Sequence, residues 1–275
     1  MDRTGSEVRL AEEGRRSGRL HARRISSEQR PSLRALLILL LFAFAAPLAA
    51  DELPFDISLA QEEYDEFVLR VGDAIFASPV DAPGRTGLLS FDLGVVGTGV
   101  PVDEAASYWQ AVGAPDILVE GRLPMLRGVI SKGFSLASAS ISYGEIPDTG
   151  AGMIGGSLDI PIISGGLVKP TIAVRGIYSE LTGVDNTDLK SWGAIAMIGK
   201  RFAIVTPWAG VGYRGVEAKS EFNDPVTGLP FILESDQGGT IVTVGARLSL
   251  LFPVLAVEAI RTEDWTYSAR VGFGF

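Results

Sequence analysis

The sequence predicts an all-β fold: a closed antiparallel transmembrane β-barrel of about ten strands, behind a short N-terminal helix. Three observations predict it. From Thr86 onward the period changes to two, with segments in which apolar and polar residues alternate, the period of a strand with one apolar face. Each alternating segment is long enough to cross a bilayer as a tilted strand of about 9–11 residues, and nothing after residue 50 reads as a helical span of roughly twenty. The last eleven residues, "WTYSARVGFGF", alternate without exception. Tyr267, Ala269, Val271, Phe273 and Phe275 take one face, and Thr266, Ser268, Arg270, Gly272 and Gly274 the other.

The front of the 275-residue chain reads as a leader. Residues 1–34 are polar and Arg-rich, and "ALLILLLFAFAA" (35–46) is followed by "PLAADE". A basic region, a short apolar core and small residues make a signal peptide over residues 1–50, cleaved after Ala49 or Ala50. The pairs Arg15-Arg16 and Arg23-Arg24 raise a twin-arginine signal. Arg23-Arg24 sits ten residues before the apolar core and no basic residue closes the motif next to the pair, so Sec-type export is the expectation. Residues 1–50 remove nine of 24 Lys+Arg and five of 33 Asp+Glu, leaving 15 basic and 28 acidic residues, a net of −13. That balance argues against nucleic acid, which needs a basic face. His21, the one histidine, leaves with the leader, and the chain has no cysteine. Thiol chemistry, Ser-His-Asp catalysis and ordinary zinc sites lose their usual residues. No catalytic residue, metal or cofactor is assigned.

Residues 51–85 form an N-terminal segment. Within it, 58–77 has helical spacing, with Tyr64, Phe67, Val68, Val71, Ala74 and Ile75 on one apolar stripe. Such a stripe requires a partner, either inside the barrel as a plug or in the periplasm. "SPVDAPGR" (78–85) ends the helix with two prolines and a glycine. The barrel then occupies 86–275. Its strands are expected over 87–100, 117–130, 134–145, 152–163, 167–181, 189–200, 203–218, 238–250, 253–262 and 265–275. Pro161, Pro170 and Pro207 fall near strand ends, where a missing ladder bond costs least.

The connections alternate. "SKG" (131–133), "SGG" (164–166), "KR" (200–201) and "FP" (252–253) are tight, while 101–116, 146–151, 182–188 and 219–237 are long, and 263–264 is a short exception on the long side. Short turns at one end and long loops at the other are an outer-membrane pattern, the short turns being periplasmic. An even strand count places both termini on the short-turn side.

Backbone in lipid must satisfy all its hydrogen bonds internally, so strand 87–100 must pair with 265–275. The inward faces are rich in Gly, Ser and Thr and carry Asp92, Arg127, Asp159, Arg175, Arg214, Arg247, Glu258 and Arg270. Unpaired buried charges are too costly to keep. Asp159 is expected to meet Arg175, and Glu258 to meet Arg270, with Asp92 across the seam. Such a network either satisfies itself around water or lines a path for a small solute. Trp192, Trp208, Tyr178, Tyr213, Trp265 and Tyr267 suit interfacial girdles. "GVDNTD" (183–188) offers oxygen donors for Ca²⁺ but reads more simply as an Asx-rich hairpin turn. "GVGYRG" (210–215) fits neither phosphate-binding fingerprint, and its glycines make room inside the barrel.

"SYWQAVG", "KPTIAVRGIYSELTGVDNTDLKSWG", "FAIVTPWAGVGYRGVEA" and the closing "YSARVGFGF" resemble an uncharacterised family of small outer-membrane β-barrel proteins of Gram-negative proteobacteria. The resemblance runs over about residues 86–275 and departs at "SKGFSLASAS", where a Gly-Leu-Pro turn is expected. It implies location and fold, and carries no functional residues. The ending on Tyr267, Ala269, Val271, Phe273 and Phe275 resembles the signal read by the barrel-assembly machinery. The functional expectation is a non-enzymatic outer-membrane barrel, either a narrow or plugged channel or a structural barrel. Its partners are outer-membrane lipid and the assembly machinery, and any solute is unnamed. The alternatives are a soluble periplasmic lipid-binding barrel and an outer-membrane lipid-modifying enzyme with a Ser/Tyr/Asp site.

Overall fold

A computed structural model describes residues 61–84, 89–111, 117–147, 149–166, 168–223, 230–250 and 252–274. The leader at 1–50 and Phe275 lie outside the described residues. The first described element is helix α1 (Gln61–Ile75). Ten strands follow, with one short helix between the first two. These are β1 (Phe91–Pro101), α2 (Ser107–Ala111), β2 (Arg122–Gly133), β3 (Ser138–Glu145), β4 (Gly152–Ile163), β5 (Thr171–Thr182), β6 (Thr187–Gly199), β7 (Val205–Asn223), β8 (Pro230–Ser249), β9 (Pro253–Arg261) and β10 (Trp265–Gly274). Each strand pairs antiparallel with its sequence neighbours, and β1 pairs with β10, closing the barrel. The seam runs from Asp92↔Gly274 to Gly99↔Tyr267. The closing strand is therefore no free edge, which is why an alternating strand can stand there without inviting foreign pairing.

The two faces separate as the alternation requires. In β10, Thr266, Ser268, Arg270, Gly272 and Gly274 are buried, and Trp265, Tyr267, Ala269, Val271 and Phe273 are exposed. Val95, Leu126, Ile154, Val174, Val211, Val244 and Val257 continue the exposed apolar band around the outside. Tyr178, Trp192, Tyr213, Trp265 and Tyr267 face outward towards the long-loop end, with the Trp192 and Tyr213 rings 5.9 Å apart. Trp208 departs from the expected girdle: it points inward and is buried, as its position between outward Pro207 and Ala209 dictates.

Three of the differences from the sequence reading concern connections and the helix. "SKG" (131–133) is the end of β2, and the turn is 134–137, closed by Phe134 N–H donating to the Ala137 carbonyl at 2.8 Å. The expected loop 219–237 is largely strand. β7 and β8 pair from Val205↔Leu248 as far as Asn223↔Pro230. Period two persists there, but outward Glu217, Lys219, Glu234 and Asp236 replace apolar residues, so the segment carries no lipid-facing signature. Lys219 and Glu234, directly opposed, form an ion pair at 3.2 Å. Finally, β1 begins and β10 ends at the short-turn mouth, but the helix does not start there. Gln61 Nε2 donates to the Glu234 carbonyl at 2.8 Å, and Arg70 reaches Asp264 of the β9–β10 connection at 2.7 Å. Both partners lie towards the long-loop end.

The helix belongs to the barrel interior. Tyr64, Phe67, Val68, Val71, Ala74 and Ile75 are all buried, and they pack with wall residues such as Met125, Met153, Leu189, Ile195 and Ile241 in one apolar core. The wall is thus more apolar in its long-loop half than a Gly/Ser/Thr lining suggests. Gly72 lets α1 lie on β7, because a Cβ there would stand 2.7 Å from both Val216 methyls. From α2, Trp109 covers the mouth and meets the Phe67 ring at 6.3 Å.

Closure of β1 on β10 is directly testable. Gly97 and Ala269 are partners in the register, and a Cβ at Gly97 meets nothing within 4 Å. Directly opposed strand residues sit within disulfide range. Gly97→Cys/Ala269→Cys protein is therefore expected to oxidise to an intramolecular disulfide, seen as loss of both free thiols and as a shift in the mobility of the heat-denatured chain that reduction reverses; two thiols that stay free under oxidant would contradict the closure.

Candidate functional site: a charged lumen gripping the N-terminal segment

Residues 76–84 leave α1 and cross the lumen as an extended strap, "FASPVDAPG". Pro79 and Pro83 cannot donate to a ladder, and Val80 sits at φ 50°, a region strained for a β-branched residue. The strap forms no strand. Its carbonyls therefore need donors, and the wall supplies them.

All eight lumenal charges expected from the sequence are inward and buried: Asp92, Arg127, Asp159, Arg175, Arg214, Arg247, Glu258 and Arg270. The sequence reading did not assign Asp73 and Asp81, which are also buried. The buried charges among the described residues are then five arginines and five carboxylates. The wall alone holds the five arginines but only three carboxylates, and the N-terminal segment brings the other two.

Each of the five buried wall arginines touches that segment. Arg127 donates to the Ser78 carbonyl at 2.6 Å, Arg270 to the Pro79 carbonyl at 2.8 Å and Arg175 to the Asp81 carbonyl at 3.0 Å. Arg214 pairs with Asp73 and reaches the Leu69 carbonyl at 3.4 Å. Arg247 binds both Asp81 carboxylate oxygens through Nη1, at 2.6 and 2.5 Å. Charged hydrogen bonds of this kind are roughly twice as strong as neutral ones.

The carboxylates sort into three settings. Asp159 takes a fork from Arg175, 2.6 Å from Nε and 2.7 Å from Nη2. Asp92 is shared across the seam by Arg270 and Arg247, the latter at 2.9 Å, and Asp81 stands 3.7 Å from Arg270. Glu258 does not meet Arg270. Its register partner is Ser268, while Arg270 opposes Ala256 and turns to Asp92. Glu258 instead accepts from the Ser78 hydroxyl at 2.5 Å and from Thr243 at 3.0 Å. Ser78 thereby links Arg127, through its carbonyl, to Glu258, through its hydroxyl.

The small polar residues pair across strands. Thr98 with Ser268, Ser140 with Ser157 and Thr187 with Ser220 share hydrogen bonds of 2.9, 2.7 and 2.9 Å. Tyr64 reaches the last pair at Ser220, 2.8 Å away. At the long-loop mouth, burial opposes the Arg70 charge, but hydrogen bonds to Asp264 and Glu66 outweigh it and raise the Arg70 pKa.

Little space is left inside. The cavity between the strap and the β1–β5 wall, lined by Pro79, Asp81, Asp92, Asp159 and Arg175, holds about 20 Å³, enough for about one water. At the short-turn mouth a vestibule of about 420 Å³ opens between Ala82–Gly84 and Thr171, Arg201, Thr206 and Arg247. Asp185 and Asn186 form the β5–β6 turn, and the Asn186 carbonyl accepts from Glu221 N–H at 2.9 Å. No group of three His, Cys, Asp or Glu suited to a metal ion occurs among the described residues.

No protein-family model matches this sequence, and no curated protein matches it. Among solved structures, the N-terminal β-barrel domain of Pseudomonas aeruginosa OprF is 13% identical at a TM-score of 0.30, covering 69% of this chain and 100% of that one. Ail, the attachment invasion locus protein of Yersinia pestis, is 13% identical at 0.31, covering 68% and 97%. Neisserial surface protein A is 11% identical at 0.26, covering 67% and 94%.

Two substitutions separate the carboxylate settings. Asp81→Asn leaves Arg247 and Arg270 short of a countercharge, and breaking a buried pair costs about 3–5 kcal/mol. Glu258→Gln keeps an acceptor for Ser78 and Thr243 and is expected to cost less, about 1–3 kcal/mol. Urea titration of tryptophan fluorescence in detergent micelles measures both. An equal loss for the two would contradict the assignment.

Proposed function

We propose that this protein is an outer-membrane β-barrel whose lumen is closed by its own N-terminal segment, a plugged barrel in its resting state. The single observation that carries the reading is the partition of the two faces: apolar side chains around the outside of a closed barrel, and a charge-balanced, filled interior. Lipid accepts such an exterior, because the ladder leaves no strand edge unpaired. A soluble lipid-binding barrel needs the reverse, an apolar cavity under a polar surface. The role is non-catalytic. Ser78, Thr98, Ser140, Ser157, Thr187, Ser220, Thr243 and Ser268 are engaged with one another or with Glu258, and no histidine follows His21 to activate a hydroxyl.

The reading includes export through the leader and insertion by the assembly machinery acting on the last strand. The strap and α1 then enter the barrel, where they supply the two carboxylates the wall lacks. A plug with those charges removed leaves a lumen with a net excess of arginine, which selects for anions.

Fractionation and bilayer recording test this together. The protein is expected in the pelleted membrane fraction, and recovery in the soluble fraction would overturn the assignment. In planar bilayers the wild-type chain is expected to be silent. Asp73→Asn/Asp81→Asn is expected to give transient steps whose reversal potential in a salt gradient shows anion preference. Steady steps of uniform size from the wild type would show an open channel instead.

A further inference from the structure

The direction in which the N-terminal segment crosses the barrel has a consequence for the two sides of the membrane. At one end of the segment, Gln61 donates to Glu234 of the β7–β8 extension, Tyr64 bonds Ser220, and Arg70 bonds Asp264 of the β9–β10 connection. All three partners belong to the long-loop end. At the other end, Gly84 approaches Asp159 and Thr171, and Asp81 binds Arg247 and lies near Arg270. These groups stand beside the short turns, where β1 begins. The segment therefore spans the lumen from one mouth to the other, with its amino-terminal end at the long loops.

We infer that the amino-terminal end of α1 is presented on the outer face of the membrane, so that the barrel displays at the surface what its N-terminus carries. The inference rests on the outer-membrane reading above, in which the short turns face the periplasm. It departs from the expectation that an even strand count keeps both termini on the periplasmic side, because that rule counts strands and not a segment threaded back through them.

Two further features fit display. Beyond the apolar band, the β7–β8 extension carries outward Lys219, Glu221, Glu234 and Asp236, charges suited to water and not to lipid. Gln61 and Glu62 are exposed beside it, while the rest of α1 is anchored by its buried stripe and by Trp109. The helix is thus held at the outer mouth, with Gln61 and Glu62 exposed to solvent. The arginine grip on the strap keeps it from sliding back, since each strap carbonyl that leaves takes a hydrogen bond from a buried guanidinium.

The chain contains no cysteine, so single cysteines report without background. Glu62→Cys, Asp185→Cys in the β5–β6 turn and Arg201→Cys in the β6–β7 turn replace three exposed residues. Each full-length variant is treated with a membrane-impermeant maleimide, on intact cells and after the outer membrane is permeabilised. Glu62→Cys is expected to label on intact cells as fully as Asp185→Cys, with no gain on permeabilisation, while Arg201→Cys labels only after it. If Glu62→Cys follows Arg201→Cys, the threading is overturned. If Asp185→Cys and Arg201→Cys label alike, the membrane-spanning reading itself fails, and the display inference fails with it.

Discussion

Five buried arginines set the terms for this molecule. An ionised guanidinium removed from water costs several kcal/mol unless charge and hydrogen bonds replace the lost solvation. Arginine cannot escape by deprotonating. Placed on inward positions of β2, β5, β7, β8 and β10, these side chains oblige the interior to supply acceptors. Three wall carboxylates are too few. The remainder comes from the segment ahead of the barrel, through Asp73, Asp81 and a run of free backbone carbonyls. The prolines of that run keep it out of any ladder, so its carbonyls stay available. The N-terminal segment is thus the missing half of the interior as much as a plug.

The apolar part of the interior follows from the same arrangement. An amphipathic helix of 15 residues has little stability of its own in water. Within the long-loop mouth its stripe meets methionines, leucines and isoleucines of the wall, and the pair forms a core of the ordinary close-packed kind. Gly72 and Val216 show how tight the fit is, since even one methyl at residue 72 would force a shift. Binding by the charged half places the strap, and packing in the apolar half places the helix. Neither half closes the lumen alone.

Much of this was legible in the sequence because period two is enforced by geometry. The inward and outward sets of β10 could be read directly, as could the six-residue helical stripe and all eight wall charges. Asp159 with Arg175 followed from strand adjacency. What escaped was what adjacency does not determine. Glu258 and Arg270 lie on neighbouring strands, yet the register offsets them by two residues, and Asp92 across the seam competes successfully for Arg270. Asp73 and Asp81 carry no alternation signal, because they lie on a helix and an irregular strap. The β7–β8 extension kept its period but exchanged its outward apolar residues for charges such as Glu217, Lys219, Glu234 and Asp236. Trp208 looked like a girdle residue by type, although its parity already placed it inside. The direction of threading depends on contacts 150 or more residues apart in the chain, such as Tyr64 with Ser220, and no local pattern encodes them.

The central claim is that residues 61–84 are an integral part of the barrel interior. Native-state hydrogen exchange of the protein in micelles tests it most directly, since exchange reports the free energy of local opening. The α1 amides of Val68, Val71, Ala74 and Ile75 are expected to exchange as slowly as those of the central strands, and to speed up in Asp81→Asn. Fast exchange of these amides in the wild type, at rates typical of a lone surface helix while the strands stay protected, would contradict the account.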